Sequence, residues 1–540
     1  MSQPVCIAWQ GSAGLDREST RWRRFCLPSF SDLFFVAVLV WLFVVGAGGW
    51  NALLMDGDTG WHIRTGEYII DHWRIPTHDI YSFTRAGAPW FAWEWLSDVT
   101  FGILHRCAGL KGIVLFAGIL IATFATVLLR FSLWRGANVI IALPLTLLAV
   151  GSSTIHFLAR PHLFTLVLLP VSLWILERDR CKSGTAVWVL VPLTALWTNL
   201  HGGFAIFLAC FGVVVFGIAI EQWRGGREWG QVRRYGAVLA ACCAATLVNP
   251  FGVNLPVHIL GYLSADWIRN LVQEFQAPTF RSEGQIQFEL LLVAGLMIAA
   301  RLGSKGRIAD ALLIVFLAHS ALTSVRHAPL FASVAAPMIA AELTAMWRSA
   351  VKNKKSKDVG RILLQLGSDL NPAFRRSTAW VACSIAIVAA VGSPMAWPTD
   401  FPKYAFPVEM VHRNAEKLAT SRVLTSDQWA DYLIYSSYPR QKVFVDGRSD
   451  FYGEKMGREY LALMQGQHAS GELLDRFHFD LALVPIEWPL AEILKNRRGW
   501  TVLEDDGKAI LFSAGCSRGL DCRPKSYLAP NEKPHLGRTV

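Results

Sequence analysis

The residues best suited to chemistry follow the first apolar segment of the chain, in the run Asp56-Gly57-Asp58. Two carboxylates one residue apart can share a divalent cation with phosphate oxygens, because hard cations prefer oxygen ligands. The alternative is that both aspartates form a turn where a helix ends. We take Asp56 and Asp58 as candidate catalytic and metal-binding residues.

Further polar residues lie at the ends of apolar segments or in the connectors between them. Because ionisable groups near hydrocarbon are costly, such a set on one face of a membrane protein predicts a shared polar cavity. For any single residue, the alternative is a helix cap or an arginine whose head reaches water. A histidine or a carboxylate there could act as general base near neutral pH. The set is His62, Arg64, Arg160, His162, Asn199, His201, Glu274, Arg326 and His327.

The composition predicts that a bilayer surrounds most of these residues. Hydrophobic residues make up 53% of the 540 residues and charged residues only 17%, which lies outside the range of soluble globular chains. The net charge of +11 comes from short basic runs between apolar segments. That pattern indicates membrane topology rather than a nucleic-acid partner.

Eleven apolar segments are candidates for membrane-spanning helices, which need about 20 mostly apolar residues including their flanks. The first runs from about Phe34 to Leu54. The apolar stretch at 95–110 is also short, and it ends in His105, Arg106 and Cys107, so we interpret it as an interfacial or half-buried helix and leave it uncounted. The other predicted spans are 112–130, 137–157, 163–177, 186–200, 203–221, 235–250, 286–301, 308–324, 328–345 and 377–395.

With this choice the basic connectors all fall on one side, which is the cytoplasmic side by the positive-inside rule. The loop at 346–376 is the strongest case, with eight Lys or Arg against Asp358 and Asp369. We therefore predict a cytoplasmic N-terminus at 1–31, a membrane domain at 32–397 and an extracytoplasmic domain at 398–540. Within the membrane domain, outer loops lie at 55–95 and 251–285. A bacterial inner membrane is the expected location.

The last 140 or so residues have the composition of a soluble α/β domain. The runs at 422–425, 443–445 and 481–484 favour strands, and helices are expected to begin at Ser426 or Asp427 and at Ser449 or Asp450. Residues 501–513 predict a hairpin that turns at Asp506-Gly507.

Two parts of the sequence resemble oligosaccharyltransferase catalytic subunits. The run from Asp58 to Tyr68 (DTGWHIRTGEY), followed by 79–84 (DIYSFT) and Trp93-Glu94-Trp95, resembles their first outer loop. The run at 423–432 (VLTSDQWADY) is similar to the segment in which they carry a Trp-Trp-Asp-Tyr-Gly motif. With the stretch at 445–450 (VDGRSD), the chain most resembles uncharacterised bacterial proteins of the GT-C superfamily of lipid-linked glycosyltransferases.

The resemblance implies an α-helical polytopic membrane protein with a GT-C-like fold of about 11–13 spans and a C-terminal soluble α/β domain. It implies that Asp58, with Asp56, orients the acceptor directly or through a metal ion, and that Glu274 is a loop acid of the active site. Arg326 is placed like the arginine that meets the donor phosphate, where a fixed charge stabilises the leaving group. In the tail it implies substrate contacts from Trp429, Asp431, Tyr432, Asp446 and Arg448.

The chain departs from the family pattern in two places. Arg160 to His162 stand where the family has a second acidic pair. Two alternatives therefore remain for the positive charge that stabilises the phosphate. One is Mg²⁺ or Mn²⁺ bound by Asp56 and Asp58, and the other is arginine and histidine side chains. The tail motif lacks the second tryptophan and the glycine, so recognition of an Asn-x-Ser/Thr sequon does not follow. A packed amphipathic helix is the alternative for Trp429 and Tyr432.

The function that follows as a hypothesis is transfer of a sugar from a polyprenyl-(pyro)phosphate donor to an extracytoplasmic acceptor. The acceptor is a glycan, a lipid or a protein, and the expected partners are the lipid-linked donor and the membrane lipid, with no nucleic acid. The alternatives are a surface-polysaccharide polymerase or ligase, and a non-enzymatic transporter or flippase of lipid-linked sugars. A transporter would be expected to show repeated halves and mid-membrane ionisable residues, neither of which is visible in the sequence.

Overall fold

The computed structural model describes residues 28–45, 48–226, 228–375, 385 and 397–515. The N-terminal arginines and most of the predicted span at 377–395 lie outside these residues. The chain forms two compact units. Unit 1 comprises Met1–Pro76 and Phe91–Phe401, and unit 2 comprises Thr77–Trp90 and Pro402–Val540. The predicted outer loop at 55–95 is therefore divided between the two units.

The described residues of unit 1 form helices joined by turns and loops, with no strand among them. Its α-helices are α1 (Phe30–Val40), α2 (Asp58–His72), α3 (Trp95–Trp134), α4 (Val139–Ser152), α5 (His162–Cys181), α6 (Leu190–Leu200), α7 (Phe204–Arg224), α8 (Gly230–Ala245), α9 (Asn254–Ser264), α10 (Asp266–Leu271), α11 (Glu283–Ser304), α12 (Ile308–Thr323), α13 (Ala328–Val351) and α14 (Val359–Arg375). Single 3₁₀ turns at Gly49–Leu54, Thr154–His156, Thr185–Val189, Gln273–Phe275 and Val325–His327 connect several of them.

The predicted apolar segments from 112–130 to 328–345 all fall on helices. Four of the described helices are long and apolar enough to cross a membrane, namely Trp95–Trp134, Phe204–Arg224, Gly284–Ser304 and Val325–Val351. The first predicted span differs from the expectation of one continuous helix. A π-helical turn at Trp41–Val45 follows α1, and the 3₁₀ turn at Gly49–Leu54 comes after Gly48 and Gly49, which both have positive φ.

The stretch left uncounted at 95–110 forms the first part of α3. The helix kinks at Gly109, whose φ of 60° and ψ of −155° are not helical. The kink divides α3 close to residue 110, which agrees with the interpretation of 95–110 as an element separate from the apolar segment that follows it. Whether it crosses the membrane stays a prediction.

Helices α2 and α3 pack unusually closely because glycines face each other where they meet. A Cβ atom on Gly66 would lie 1.8 Å from the carbonyl oxygen of Asp98, and one on Gly102 would lie 2.7 Å from the carbonyl carbon of Gly66. Only residues without a side chain fit at such a distance. This contact sets the position of His62, one turn before Gly66 on α2, relative to α3.

Unit 2 has a four-stranded sheet with helices around it. The strands are β1 (Val423–Thr425), β2 (Leu481–Pro485), β3 (Trp500–Asp505) and β4 (Ala509–Ala514), in the order β1-β2-β4-β3. β1 and β2 are parallel, and the other two pairs are antiparallel. The predicted hairpin is confirmed, with Gly507 at a φ of 80° in its turn. The helices are α15 (Val408–Arg413), α16 (Ala415–Ala419), α17 (Asp427–Ser437), α18 (Ser449–Met464), α19 (Ser470–Phe477) and α20 (Pro489–Asn496).

One local prediction for unit 2 is wrong. The run at 443–445 is not a strand, because Val443 makes only isolated bridges to Ser82 and Val423, and the next carbonyl, that of Phe444, accepts from the Thr84 hydroxyl instead of a ladder partner. The helix expected to begin at Ser449 or Asp450 does begin at Ser449, with Arg448 in the cap position and no side-chain cap. The predicted cap at Ser426 is confirmed, since its hydroxyl accepts from the Trp429 amide.

Residues 77–90 are an integral part of unit 2. The amide of Val443 donates to the carbonyl of Tyr81, and the amide of Phe83 donates to the carbonyl of Val443, both at 3.0 Å. Tyr81 is fully buried. A segment that precedes most of the membrane domain in sequence therefore completes the fold of the C-terminal domain.

Candidate functional site

Arg160 is the centre of a charged cluster in unit 1. Its guanidinium nitrogens lie 2.6 Å from an oxygen of Asp56 and 2.5 Å from an oxygen of Asp58. One of them also lies 3.7 Å from Glu274. One arginine thus contacts three carboxylates from two predicted outer loops, and it comes from a third connector between α4 and α5.

Backbone contacts hold Arg160 against the Asp56-Gly57-Asp58 run. The Thr59 hydroxyl donates to the carbonyl of Ala159, and the amide of Ala159 donates to the carbonyl of Leu53. Asp56 accepts the amide of Asp58 at 2.9 Å, as expected where a carboxylate closes the start of a helix. The predicted turn and the predicted site are therefore the same feature.

Glu274 connects Arg160 to Arg326. Its second carboxylate oxygen lies 3.9 Å from the Arg326 guanidinium, which also lies over the ring of Phe275 at 5.0 Å. The amide of Val325 donates to the carbonyl of Gln276, and the Ser324 hydroxyl donates to that of Glu274. The 251–285 segment is thus attached to the turn before α13.

A second part of the site consists of histidines and acids at the junction of α2 and α3. The Nδ1 atom of His62 lies 2.6 Å from an Asp98 oxygen, and its Nε2 atom lies 3.7 Å from one oxygen of Glu94. The other Glu94 oxygen lies 3.6 Å from Nε2 of His201. His62, Glu94 and Asp98 are all buried. The order Asp98, His62, Glu94, His201 forms a continuous row of proton-binding groups.

Neither Glu94 nor Asp98 was among the site residues predicted from the sequence. Asp98 lies in the stretch interpreted as an interfacial helix, where it looks like an ordinary first-turn acid. A signal was nevertheless present. Glu94 and Asp98 are four residues apart at the start of a helix, and residues at that spacing share one face.

The hydrogen bonds of His201 define its tautomer. Its Nδ1 atom accepts the backbone amide of Gly203 at 3.0 Å and lies 2.7 Å from the Thr165 hydroxyl. Because Nδ1 is an acceptor, a neutral His201 carries its proton on Nε2. That proton faces Glu94.

Burial and charge decide the protonation of the groups outside the spans. Burial lowers the pKa of His62 and His201 well below the ordinary histidine value, and the charge of Arg160 adds to this effect at both. Burial alone would raise the pKa of Glu274, but Arg160 and Arg326 hold it below its usual value. Near neutral pH, Glu274 is therefore ionised, and the imidazoles of His62 and His201 are neutral.

The other predicted residues of unit 1 lie near the cluster or have local partners. His162 contacts the carbonyl of His156 through Nε2 at 2.7 Å. Arg64 pairs with Glu67 on its own helix, and His327 lies beside the Ser320 hydroxyl. Asn199 accepts from the Trp95 indole and donates to the carbonyl of Val248. It lines an open cleft of about 550 Å³ with mostly apolar walls.

The tail residues are buried inside unit 2. Trp429 donates to the carbonyl of Ala405, and Asp431 accepts the amide of Gly447. Arg448 contacts Asp446 at 2.6 Å. Tyr432 is fully buried. These contacts favour the alternative of a packed helix for Trp429 and Tyr432, and substrate binding by the five tail residues stays a prediction.

The arrangement of Asp56 and Asp58 does not fit a bound divalent cation. Each carboxylate has an oxygen within 2.6 Å of Arg160, so a positive group already stands between them. Within the described ranges, no group of three or more His, Cys, Asp or Glu side chains is arranged to hold a metal ion. Of the two alternatives from the sequence, the geometry favours arginine.

Solved structures with a similar fold are membrane glycosyltransferases. The oligosaccharyltransferase of Archaeoglobus fulgidus, tethered to an acceptor peptide containing the NVT sequon, matches with a TM-score of 0.51 and 11% identity, over 85% of this chain and 69% of that chain. AglB from the same organism, in complex with an inhibitory peptide and a dolichol-phosphate, matches with a TM-score of 0.50, also at 11% identity and with the same coverage.

A third structure is ArnT from Cupriavidus metallidurans bound to undecaprenyl phosphate, which is 12% identical over 90% of this chain and 98% of that chain. Its TM-score is 0.36, which is too low to support a shared fold. No model of a protein family matches the sequence, and no curated protein matches it significantly. The GT-C-like fold predicted from the sequence is confirmed. The chain is an integral membrane protein.

Proposed function

We propose that this protein is a glycosyltransferase that moves a sugar from a polyprenyl-phosphate or polyprenyl-pyrophosphate carrier to an acceptor on the extracytoplasmic side of a bacterial inner membrane. The observation that carries the proposal is the contact of Arg160 with Asp56, Asp58 and Glu274. Side chains from three distant connectors form one charged cluster, within a fold otherwise seen in oligosaccharyltransferases.

Arg326 and Arg160 would bind the phosphate of the donor. Guanidinium groups keep their charge at all relevant pH values and match phosphate oxygens in pairs. As the bond between the sugar and the phosphate breaks, the electron pair passes to a phosphate oxygen, where fixed positive charge stabilises it. Asp56 and Asp58, held by Arg160, would orient the acceptor beside the sugar.

The proton of the acceptor would pass to the row of His62, Glu94 and His201. The acceptor oxygen or nitrogen forms a bond to the anomeric carbon and loses its proton, so a base must lie nearby. An oxygen of each of Asp56 and Asp58 is already occupied by Arg160, so we assign the base to the neighbouring row. Within this row, the Glu94 carboxylate lies 3.7 Å from Nε2 of His62 and 3.6 Å from Nε2 of His201, and it would accept the proton.

The cleft beside Asn199 is our candidate for the lipid tail. Trp95, Leu196 and Val248 line it, and its apolar walls suit an isoprenoid chain. Trp95 directly follows Glu94, so a tail in this cleft would place the phosphate near the charged cluster.

Reconstituted full-length protein tests the proposal. We would supply a panel of radiolabelled polyprenyl-phosphate and polyprenyl-pyrophosphate sugars with a membrane extract as acceptor source, and measure release of the polyprenyl (pyro)phosphate. Arg160→Ala should reduce release by at least about a hundredfold, the usual cost of removing a group that stabilises charge in the transition state.

Arg281→Ala is the matched control, because Arg281 is an exposed arginine in the 251–285 segment and should keep wild-type release. Full release by Arg160→Ala would remove the cluster from the mechanism. Movement of intact labelled lipid across the bilayer without release of sugar would instead identify a flippase. Transfer that proceeds unchanged in EDTA would agree with Arg160 as the cation of the site, and Mg²⁺ or Mn²⁺ dependence would show that the metal alternative is correct.

A further inference from the structure

Glu274 is the most loosely held member of the charged cluster. Its oxygens lie 3.7 Å from Arg160 and 3.9 Å from Arg326, both longer than a hydrogen bond. Arg160 contacts Asp56 and Asp58 at 2.6 and 2.5 Å. Of the three carboxylates around Arg160, Glu274 is therefore the one that another anion could most easily replace.

A ligand could reach this position without unfolding the unit. The side chains of Arg160, Arg326 and Glu274 are 19%, 21% and 32% exposed. Two guanidinium groups that face one carboxylate form a site for an anion with two or more oxygens, and a phosphoryl group carries more charge and more acceptor oxygens than a carboxylate. The geometry suits exchange of the carboxylate for a phosphoryl group.

The contacts around Glu274 connect this exchange to the 251–285 segment. Beyond the ion pair, the segment is attached at this point by two backbone carbonyls, those of Glu274 and Gln276, and by the ring of Phe275 beneath Arg326. Arg326 also interacts with Tyr262 of α9. An anion that draws Arg326 away from Glu274 would weaken several attachments of the segment together.

We propose that Glu274 is an internal substitute for the phosphoryl group of the ligand. In the absence of ligand it fills the anion site between Arg160 and Arg326 and holds the 251–285 segment in place. When a phosphoryl group binds, Glu274 leaves and the residues around it are released. This inference rests on the proposed function for its ligand class, and it gives Glu274 a different role from the catalytic acid that the sequence predicts.

Binding measurements on the full-length protein in detergent test the proposal without any need for turnover. Inorganic pyrophosphate and farnesyl phosphate are titrated by calorimetry into wild type, Glu274→Gln and Asp266→Asn. Asp266 is a matched control, since its side chain is a carboxylate of the same segment that is 83% exposed. Removing the competing charge should tighten binding in Glu274→Gln by about tenfold, the size expected for two partly exposed ion pairs, and Asp266→Asn should bind as wild type.

The two ligands distinguish the source of the phosphoryl group. Tighter binding of both would support a site for the phosphoryl group itself, and tighter binding of farnesyl phosphate alone would support a site for a lipid headgroup. Equal or weaker binding of both ligands by Glu274→Gln would overturn the proposal. If glycosyl transfer is absent but Glu274→Gln still binds more tightly, the proposed function fails and the anion site remains.

Hydrogen exchange on the wild-type protein provides a readout that does not depend on the folding of a variant. Pyrophosphate should raise amide exchange at Val325, because the hydrogen bond from its amide to the carbonyl of Gln276 is released. Unchanged exchange at saturating pyrophosphate would also overturn the proposal. Arg326→Ala should raise exchange at the same amide without any ligand.

Discussion

Replacing Gly66 by alanine should separate His62 from Asp98. A Cβ atom on Gly66 would lie 1.8 Å from the carbonyl oxygen of Asp98, whereas ordinary contacts begin at 3.4 Å. The obstacle is backbone of α3, which cannot rotate away as a side chain could. We therefore expect α2 to move away from α3 by about 1.6 Å, the difference between those two distances.

The displacement determines the size of the effect. The bond between His62 and Asp98, 2.6 Å long, would open to about 4 Å, beyond hydrogen-bonding range. Overpacking costs about 1–3 kcal/mol, and a buried polar group left unsatisfied costs about as much again. A loss of at least about 2 kcal/mol of stability is expected. Because a misplacement of about 1 Å can cost a hundredfold in rate, sugar transfer should fall by a similar factor.

Thermal unfolding of the purified protein measures the first effect, and release of polyprenyl (pyro)phosphate measures the second. Gly212→Ala is the matched control, because a Cβ atom at Gly212 on α7 would meet nothing within 4 Å. Alanine favours helix more than glycine by about 1 kcal/mol, so this variant should melt at or above the wild-type temperature. If Gly66→Ala melts like Gly212→Ala, the close packing of α2 on α3 does not position His62.

Two further predictions concern pH and unit 2. The pKa values of His62 and His201 are lowered by burial in the folded protein, so below the ordinary histidine value of about 6.5 the unfolded chain binds more protons than the folded one. Stability should be greatest above that value and fall as the pH drops below it, and an apparent melting temperature that rises on acidification would contradict the assignment. In unit 2, Arg448→Ala leaves Asp79 and Asp446 buried without their shared cation and should cost about 3–5 kcal/mol. By contrast, Arg458→Ala, at a side chain 62% exposed, should cost no more than about 1 kcal/mol, and equal proteolytic resistance of the two variants would refute this account.

Much of the helical architecture could be predicted because the bilayer imposes a strong compositional signal. Long apolar segments with basic connectors indicate helices and their order, and all the described segments from 112 to 345 fall on helices. Ionisable groups beside hydrocarbon are energetically costly and therefore often mark a functional site. This is why the sequence could predict the site residues Asp56, Asp58, His62, Arg160 and His201.

What the sequence could not indicate is the pairing among these residues. Arg160 was predicted as a substrate-binding residue, but its two shortest ion pairs join it to the acids nominated as metal ligands. Glu94 and Asp98 escaped prediction because acids at the start of a helix are common, and only tertiary contact with His62 distinguishes these two. Pairings of this kind depend on side chains far apart in sequence.

Residues 77–90 and 402–515 fold together as unit 2, and this also restricts the membrane topology of the chain. Two stretches that complete one soluble unit must lie on the same side of the membrane, so the polypeptide between them has to make an even number of crossings. The ten spans predicted after residue 110 satisfy this parity, whereas an eleventh crossing at 95–110 would leave Tyr81 and Val443 in different compartments, unable to form the hydrogen bonds that join them.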